Sequence, residues 1–348
     1  MKFTGEEIMK SVINRQRTLV IVLAILALLL TLAFAGCRKE SGSSGGGGGG
    51  AASGKKEGKL RIGFSQMENN GPWRIAETKS MRDEAAKRAD RFDLVVTDAR
   101  GDIANQVANV EDLIAQRVDA IFLAPQQEKG FEGVLQAARD AKIPVFLLDR
   151  EVEGAPGNDF VTFIGSNFVE EGKRAGEWLV KQSGGKAGII ELLGTAGASV
   201  ARDRHDGFAE AIKASPDMKI LASQTANFTR AEGQKVMENL IQAHGKNITA
   251  VYTHNDEMAL GAIQALKAAG MQPGKDVLIV SVDGQKSALE AITRGEMNVT
   301  VECNPRFGPV AFDTLEKYLK GEQVPPKIIV PDKFFDTTNA AQYVNEAY

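Results

Sequence analysis

Short apolar runs recur along this chain, and their order constrains the fold more than any other feature. Ten can be read: "RIGFSQ", "DLVVTDA", "AIFLAP", "IPVFLLDR", "FVTFIGS", "AGIIELLG", "KILASQT", "AVYTHND", "VLIVSVDG" and "NVTVECN". Between them lie stretches with helical spacing of apolar residues, among them 76–89, 105–116, 131–141, 170–182, 201–214, 231–244 and 258–269. A short, nearly continuous apolar run bounded by polar residues describes a strand buried on both faces. Such strands alternating with helices make parallel sheets covered on both sides, joined by right-handed crossovers. The series divides into two similar groups, one ending near Ile164 and one beginning near Ala187. The expected fold class is therefore α/β, with two doubly wound parallel-sheet lobes, a hinge and a ligand cleft between them.

The first part of the chain does not share this rhythm. Lys2, Lys10, Arg15 and Arg17 precede "TLVIVLAILALLLTLAFAG", an uncharged run of 19 residues ending at Phe34-Ala35-Gly36-Cys37. That length suffices to cross a bilayer, and basic residues before it keep the N-terminus cytoplasmic. Small residues before a cysteine resemble a bacterial lipobox, so residues 1–36 read as a leader and Cys37 as a lipidation site. An uncleaved transmembrane anchor is the alternative, with nearly the same topology. Residues 37–58, with six successive glycines at 45–50, read as a flexible tether. The remainder, from residue 59, suits two lobes better than one.

Composition narrows the function. Lys and Arg number 42 against 45 Asp and Glu, a net charge of −3 without a basic patch, which argues against nucleic acid as partner. Cys37 and Cys303 are the two cysteines and histidines number three, so no metal site of recognisable spacing is expected.

What stands just past each apolar run is more telling. Gln66, Asp98, Asp149-Arg150, Ser166-Asn167, Asn255-Asp256, Asp283-Gly284 and Glu302 occupy those places. In an open parallel sheet the carboxyl ends of the strands border the crevice where ligands bind. Asp and Asn there are also turn formers and helix caps, and Asp102 and Thr229 read as caps alone. An arginine caps nothing, so Asp149 and Arg150 read as a binding surface carried on a buried strand. Trp73, beside Arg74 and after a helix-breaking Gly71-Pro72, and Phe228, in the loop "TANFTR", add aromatic faces. Carboxylates, carboxamides and guanidinium groups grip hydroxyls, and aromatic rings cover C–H faces, which together describe a sugar site.

From about Leu60 to its end the chain resembles the ribose and galactose type of periplasmic sugar-binding protein, the type I periplasmic binding fold. Within that family the pattern is of the galactofuranose-binding type. "GFSQ…GPWRIAE", "VDAIFLAP", "IPVFLLDR", "GTAGASVARDRHDGFAEAI", "FTRAEGQKVMENL", "HNDEMALGAIQALKAAG" and "DVLIVSVDG" carry the resemblance. It implies sugar contacts at Trp73, Arg74, Asp149, Arg150, Arg204, Phe228, Asn255 and Asp283. Asn70 stands where the galactofuranose type carries an acidic residue, and Glu302 is a further candidate. The resemblance also implies an extracytoplasmic, monomeric protein of the bacterial cell envelope that closes on a monosaccharide and docks on an ABC permease. Lobe boundaries are expected at 59–164 with about 304–331, and at 165–303 with about 332–348, crossing near 165–167, 303–304 and Pro331. No cofactor is implied.

Rival readings find less support. "GTAGASVARDR" lacks the G-x-G-x-x-G and P-loop spacings, and no G-x-S-x-G elbow occurs. A glycoside-acting enzyme would need two of Asp149, Asp256 and Asp283 at a set separation. A sugar-responsive regulator would need a helix-turn-helix where the leader and tether stand. A sensor presenting the bound sugar to a chemoreceptor or kinase would read the same closed surface as a permease.

Overall fold

A computed structural model describes residues 58–348. The leader, the tether and Cys37 lie outside the described residues. Among those described, no helix is long and apolar enough to cross a membrane.

The chain begins with β1 (Leu60–Gln66), α1 (Pro72–Lys87), β2 (Phe92–Asp98), α2 (Ile103–Ala115), β3 (Ala120–Ala124), α3 (Glu132–Asp140), β4 (Val145–Leu148) and β5 (Phe163–Gly165). It continues with α4 (Phe168–Ser183), β6 (Lys186–Leu193), α5 (Ser199–Ile212), β7 (Asp217–Thr225), α6 (Arg230–His244), β8 (Ala250–Thr253), α7 (Asp256–Ala268), β9 (Leu278–Asp283), α8 (Lys286–Thr293) and β10 (Val299–Glu302). The last elements are α9 (Gly308–Leu319), β11 (Lys327–Ile329), β12 (Phe334–Asp336) and α10 (Ala340–Tyr343).

These form two six-stranded sheets, ordered β11-β5-β4-β3-β1-β2 and β12-β10-β9-β8-β6-β7. Neighbouring strands are parallel except β12, which runs antiparallel to β10. This is the type I periplasmic binding fold. Each order reverses beside its first strand, and such a switch point opens a crevice beyond the strand ends. The chain passes between the sheets three times, at 166–167, 303–307 and 330–333.

The inner strands hold because their apolar runs are buried, whereas the edge strands β2 and β7 are half-buried or exposed along most of their length. In β4, Val145, Phe146, Leu147 and Leu148 are all buried, a transfer gain of about 6–12 kcal/mol against a fully exposed chain, and an upper estimate. That gain offsets the several kcal/mol that desolvating the charges at the strand's end costs. Phe122 packs on Phe146 and on Phe312, with ring centres 5.6 and 5.4 Å apart. Phe312 belongs to α9, which returns to the first sheet and lies against α1, where Arg88 reaches Glu316 at 2.8 Å and Asp313 at 2.6 Å. In the second lobe Phe208 stacks on Tyr252 at 4.0 Å.

One local reading is corrected. Gly71-Pro72 does not break a helix; it starts one. Pro72 occupies the first turn of α1, where its missing N–H costs nothing. Trp73 and Arg74 therefore sit on a helix N-terminus and not in a loop. The caps at Asp102 and Thr229 form as expected, accepting from the backbone N–H of Asn105 and Glu232.

Candidate ligand-binding cleft

Three residues at the cleft hold backbone conformations that L-residues seldom adopt. Asp149 follows β4 with φ of 64°, Asp283 ends β9 with φ of 127°, and Phe228 precedes α6 with φ of 60°. Each costs of order 1–3 kcal/mol and persists only where the surroundings over-determine it. Asp149 keeps its backbone N–H on the carbonyl of Ile164 at 2.9 Å, so the turn begins with the strand still paired. Strain at three separated places that border one gap is an indication of function.

In the first lobe Arg74 is the centre of a buried ion group. Its Nη1 donates to Glu77 Oε2 at 2.9 Å and its Nη2 to Asp149 Oδ2 at 2.6 Å. Glu77 is anchored from behind by Gln66 Nε2 at 2.8 Å, which gives the polar tip of β1 its role. The two carboxylates hold the Arg74 pKa above its ordinary value, despite burial acting against the charge. Arg150 fares differently. Its Nη1 donates to the Gln126 carbonyl at 2.6 Å, but its Nε lies 3.6 Å from Asp149 Oδ2 and has no hydrogen bond. Burial, with Arg74 beside it, pushes the Arg150 pKa down to about 9.

The second lobe repeats the arrangement on different elements. Arg204, on α5, donates from Nε to Glu171 Oε2 at 2.7 Å and from Nη1 to the His254 carbonyl, while Nη2 lies 3.5 Å from Asp283 Oδ1. Burial pushes the Asp283 carboxyl well above the usual carboxylate range, with Arg204 only partly opposing it. Asn255 caps α7 through its side-chain oxygen, bonded to Met258 N–H at 3.0 Å, and its amide donates to the Phe228 carbonyl at 3.1 Å. Capping and lining the cleft are thus compatible roles for one side chain.

Aromatic faces complete the walls. The half-buried Trp73 donates Nε1–H to the Cys303 carbonyl at 2.8 Å, a bond between the lobes, and meets the edge of Phe307 at 5.8 Å. The Arg74 guanidinium lies 4.6 Å from the Trp73 ring, and that of Arg150 lies 5.3 Å from the Phe228 ring. The lobes also meet through Glu128 N–H on the Gly197 carbonyl at 3.0 Å, Glu151 N–H on Ser199 Oγ at 3.1 Å, and an ion pair of Arg202 with Glu128 at 2.5 Å.

The gap between these walls is open to solvent at its mouth. Trp73, Arg74, Asp149 and Arg150 line it from the first lobe, and Arg204, Phe228, Asn255 and Asp283 from the second. Two sequence candidates do not. Asn70 is exposed on the loop before α1, and Glu302 is held by the Lys333 backbone N–H at 2.8 Å, on a separate depression beside β12. Register explains the second: Glu302 ends β10, whose edge pairs with β12, and the side chain closes that edge. Sequence reasoning missed Glu68, Val200, Glu257, Gln285 and Cys303, which also line the gap. Glu257 and Gln285 each stand two residues past a recognised tip, which was the available signal. Glu77 and Glu171 sit inside helices and carried none. Cys37 lies outside the described residues.

Residues 62–323 match the family profile described as periplasmic binding protein domain. The chain belongs to the periplasmic binding protein family. It is 47% identical over 272 residues to the galactofuranose-binding protein YtfQ of Escherichia coli strain K12, covering 77% of this chain and 85% of that one. Among solved structures, a galactofuranose-binding protein superposes with a TM-score of 0.80 at 44% identity, covering 83% of this chain and 98% of that one. The periplasmic component of the arabinose ABC transporter from Shewanella sp. ANA-3, bound to α- and β-L-arabinofuranose, does so with a TM-score of 0.80 at 43% identity, covering 82% and 95%.

Proposed function

We propose that this protein captures a monosaccharide, galactofuranose-like or of the ribose and galactose kind, and delivers it to an ABC sugar importer. One observation carries the reading: each lobe contributes a buried arginine clamped between two carboxylates, and both arginines line the same gap. Fixed donors and acceptors of that kind discriminate sugars strongly, because an analogue lacking a hydroxyl leaves a buried charge unpaired. Trp73 and Phe228 supply faces for the ring. The relatives named for galactofuranose and arabinofuranose favour a five-membered ring.

Binding proceeds by closure. The lobes, 59–164 with about 304–331 and 165–303 with about 332–348, rotate about the three crossings, and the sugar favours the closed state because only there does it touch both. The protein acts as an extracytoplasmic monomer and does no chemistry on its ligand. Lipid on Cys37 and the glycine tether keep it near the permease at raised effective concentration. Asn70 and Glu302 are not part of this proposed site.

Calorimetry on the full-length chain with pentoses and hexoses, in furanose- and pyranose-forming series, tests the reading. Saturable 1:1 binding of one furanose-forming sugar is expected. Failure of every sugar to bind, or turnover of aryl glycosides, would overturn it.

A further inference from the structure

Arg204 offers its guanidinium to a ligand in a fixed orientation when its other donors are engaged. Nε–H is taken by Glu171 Oε2 and Nη1 by the His254 carbonyl. Nη2, 3.5 Å from Asp283 Oδ1, remains for the gap. Glu171 is not itself a lining residue and is only 1% exposed. It reaches Arg204, 33 positions along the chain, because α4 and α5 touch backbone to backbone. A Cβ at Gly172 would sit 2.1 Å from the Arg204 carbonyl oxygen, and one at Gly207 would sit 1.9 Å from that of Val169. No other residue type fits either place.

The same first turns of α4 meet all three crossings. Glu171 N–H bonds the carbonyl of Asn167, in the first crossing, at 3.0 Å. Its second oxygen, Oε1, is buried without a hydrogen bond, and the weakly donating Cys303 thiol of the second crossing interacts with the same carboxyl group. Arg174, one turn on, donates from Nη1 to the Asp332 carbonyl of the third at 3.0 Å. We propose that Glu171 is a positioning residue, fixing Arg204 for the ligand and tying that orientation to the hinge.

The proposal rests on the reading that the gap binds a sugar, and its test keeps the two apart. Calorimetry of the full-length chain with the preferred sugar compares Glu171→Met, Glu171→Gln, Arg204→Met and the double variant Glu171→Met/Arg204→Met. Glu171→Met is expected to weaken binding about tenfold or more. Glu171→Gln, which keeps an acceptor for Nε–H, should restore affinity to within roughly threefold of the parent. In the double variant the Glu171→Met loss should vanish to within about twofold, because its effect runs through Arg204. Additive losses, or Glu171→Met binding like the parent, would overturn the proposal. A second readout needs neither sugar nor Glu171→Met. The Arg204 Nε–H resonance in ¹H–¹⁵N spectra should move on Glu171→Gln substitution, and an unmoved resonance would overturn the proposal. Where no sugar binds the parent, the functional reading falls and this resonance alone decides.

Discussion

The two walls of the cleft are built to the same plan and charged differently. Each has a helix-borne arginine between a helix carboxylate and a strand-end aspartate: Arg74 with Glu77 and Asp149 in the first lobe, Arg204 with Glu171 and Asp283 in the second. In the first lobe the aspartate is close, 2.6 Å, and is shared with a second buried arginine, Arg150. In the second the aspartate stands off at 3.5 Å and its carboxyl is pushed up by burial, with Asp256 behind it acting the same way. The first wall sets two arginines against two carboxylates but leaves Arg150 without a close partner, and the second sets one arginine against two. The proposed sugar would meet an underpartnered donor, Arg150, on one wall and a carboxyl, Asp283, on the other.

The contrast makes Asp149 the most consequential side chain in the cleft. Asp149→Ala leaves Arg74 with one carboxylate and Arg150 with none, and breaking a buried pair costs about 3–5 kcal/mol. The variant should unfold at markedly lower denaturant and bind the sugar at least tenfold more weakly, roughly 1.4 kcal/mol. Asp283→Ala should lose comparable affinity but far less stability, since the folded state already disfavours that carboxylate's charge. Denaturant titration of both variants decides; equal stability losses would show that the walls are charged alike.

A pH dependence of stability belongs to the second wall. Burial raises the Asp256 pKa to about 7, although its oxygens accept from Gln285 N–H at 2.9 Å and Thr300 Oγ1 at 2.8 Å. A carboxyl whose folded pKa is raised stabilises fully while protonated in both states. Its contribution is lost as pH climbs from about 4 in the unfolded chain through about 7 in the folded one. Thermal midpoints of the unliganded protein should therefore fall between those pH values, and Asp256→Asn should flatten the slope. An unchanged slope in that variant would assign the dependence elsewhere, Asp332 being the next carboxyl raised to about 7.

Arg150 should show the opposite balance of function and stability. Burial that depresses the Arg150 pKa, with Arg74 beside it, marks a charge that the folded state holds at a cost at neutral pH. Arg150→Met removes the charge while keeping much of the packing volume. Without sugar its melting temperature should rise by a few degrees, of order 1 kcal/mol, whereas its affinity falls. A lower melting temperature would mean that Phe228 and the Gln126 carbonyl satisfy Arg150 better than their geometry suggests.

Much of the wall pattern was legible in the sequence. Continuous apolar runs gave the strands, since burial on both faces leaves them no choice of residue type, and the tips Asp149, Asn255 and Asp283 came with them. β11 and β12, three residues each, are too short to carry a period. Arg74 was legible as a residue but not as a helix-borne one, because Pro72 was read as a breaker and not as a first-turn residue. What could not be read is which carboxylate serves which arginine. Arg74 and Asp149 lie 75 positions apart and Arg204 and Glu171 lie 33 apart, so pairing is decided by helix packing and not by local spacing. Glu302 shows the converse: its place past a strand qualified it, and pairing with β12 turned it away.

The smallest effect expected concerns the contacts that join the walls. Arg202 pairs with Glu128 across the mouth, but the arginine side chain is half exposed, at 50%. Exposed pairs contribute about 0.2–1 kcal/mol and are screened by salt. Arg202→Ala should therefore weaken sugar binding by no more than a few-fold, mostly through faster release, if the pair favours the closed arrangement. The difference from the parent should shrink at high ionic strength. Stopped-flow measurement of release at low and high salt separates this from a direct role: a salt-independent loss would place Arg202 on the ligand, and the lobes would then be joined by hydrogen bonds such as those of Glu128, Glu151 and Trp73 without help from this ion pair.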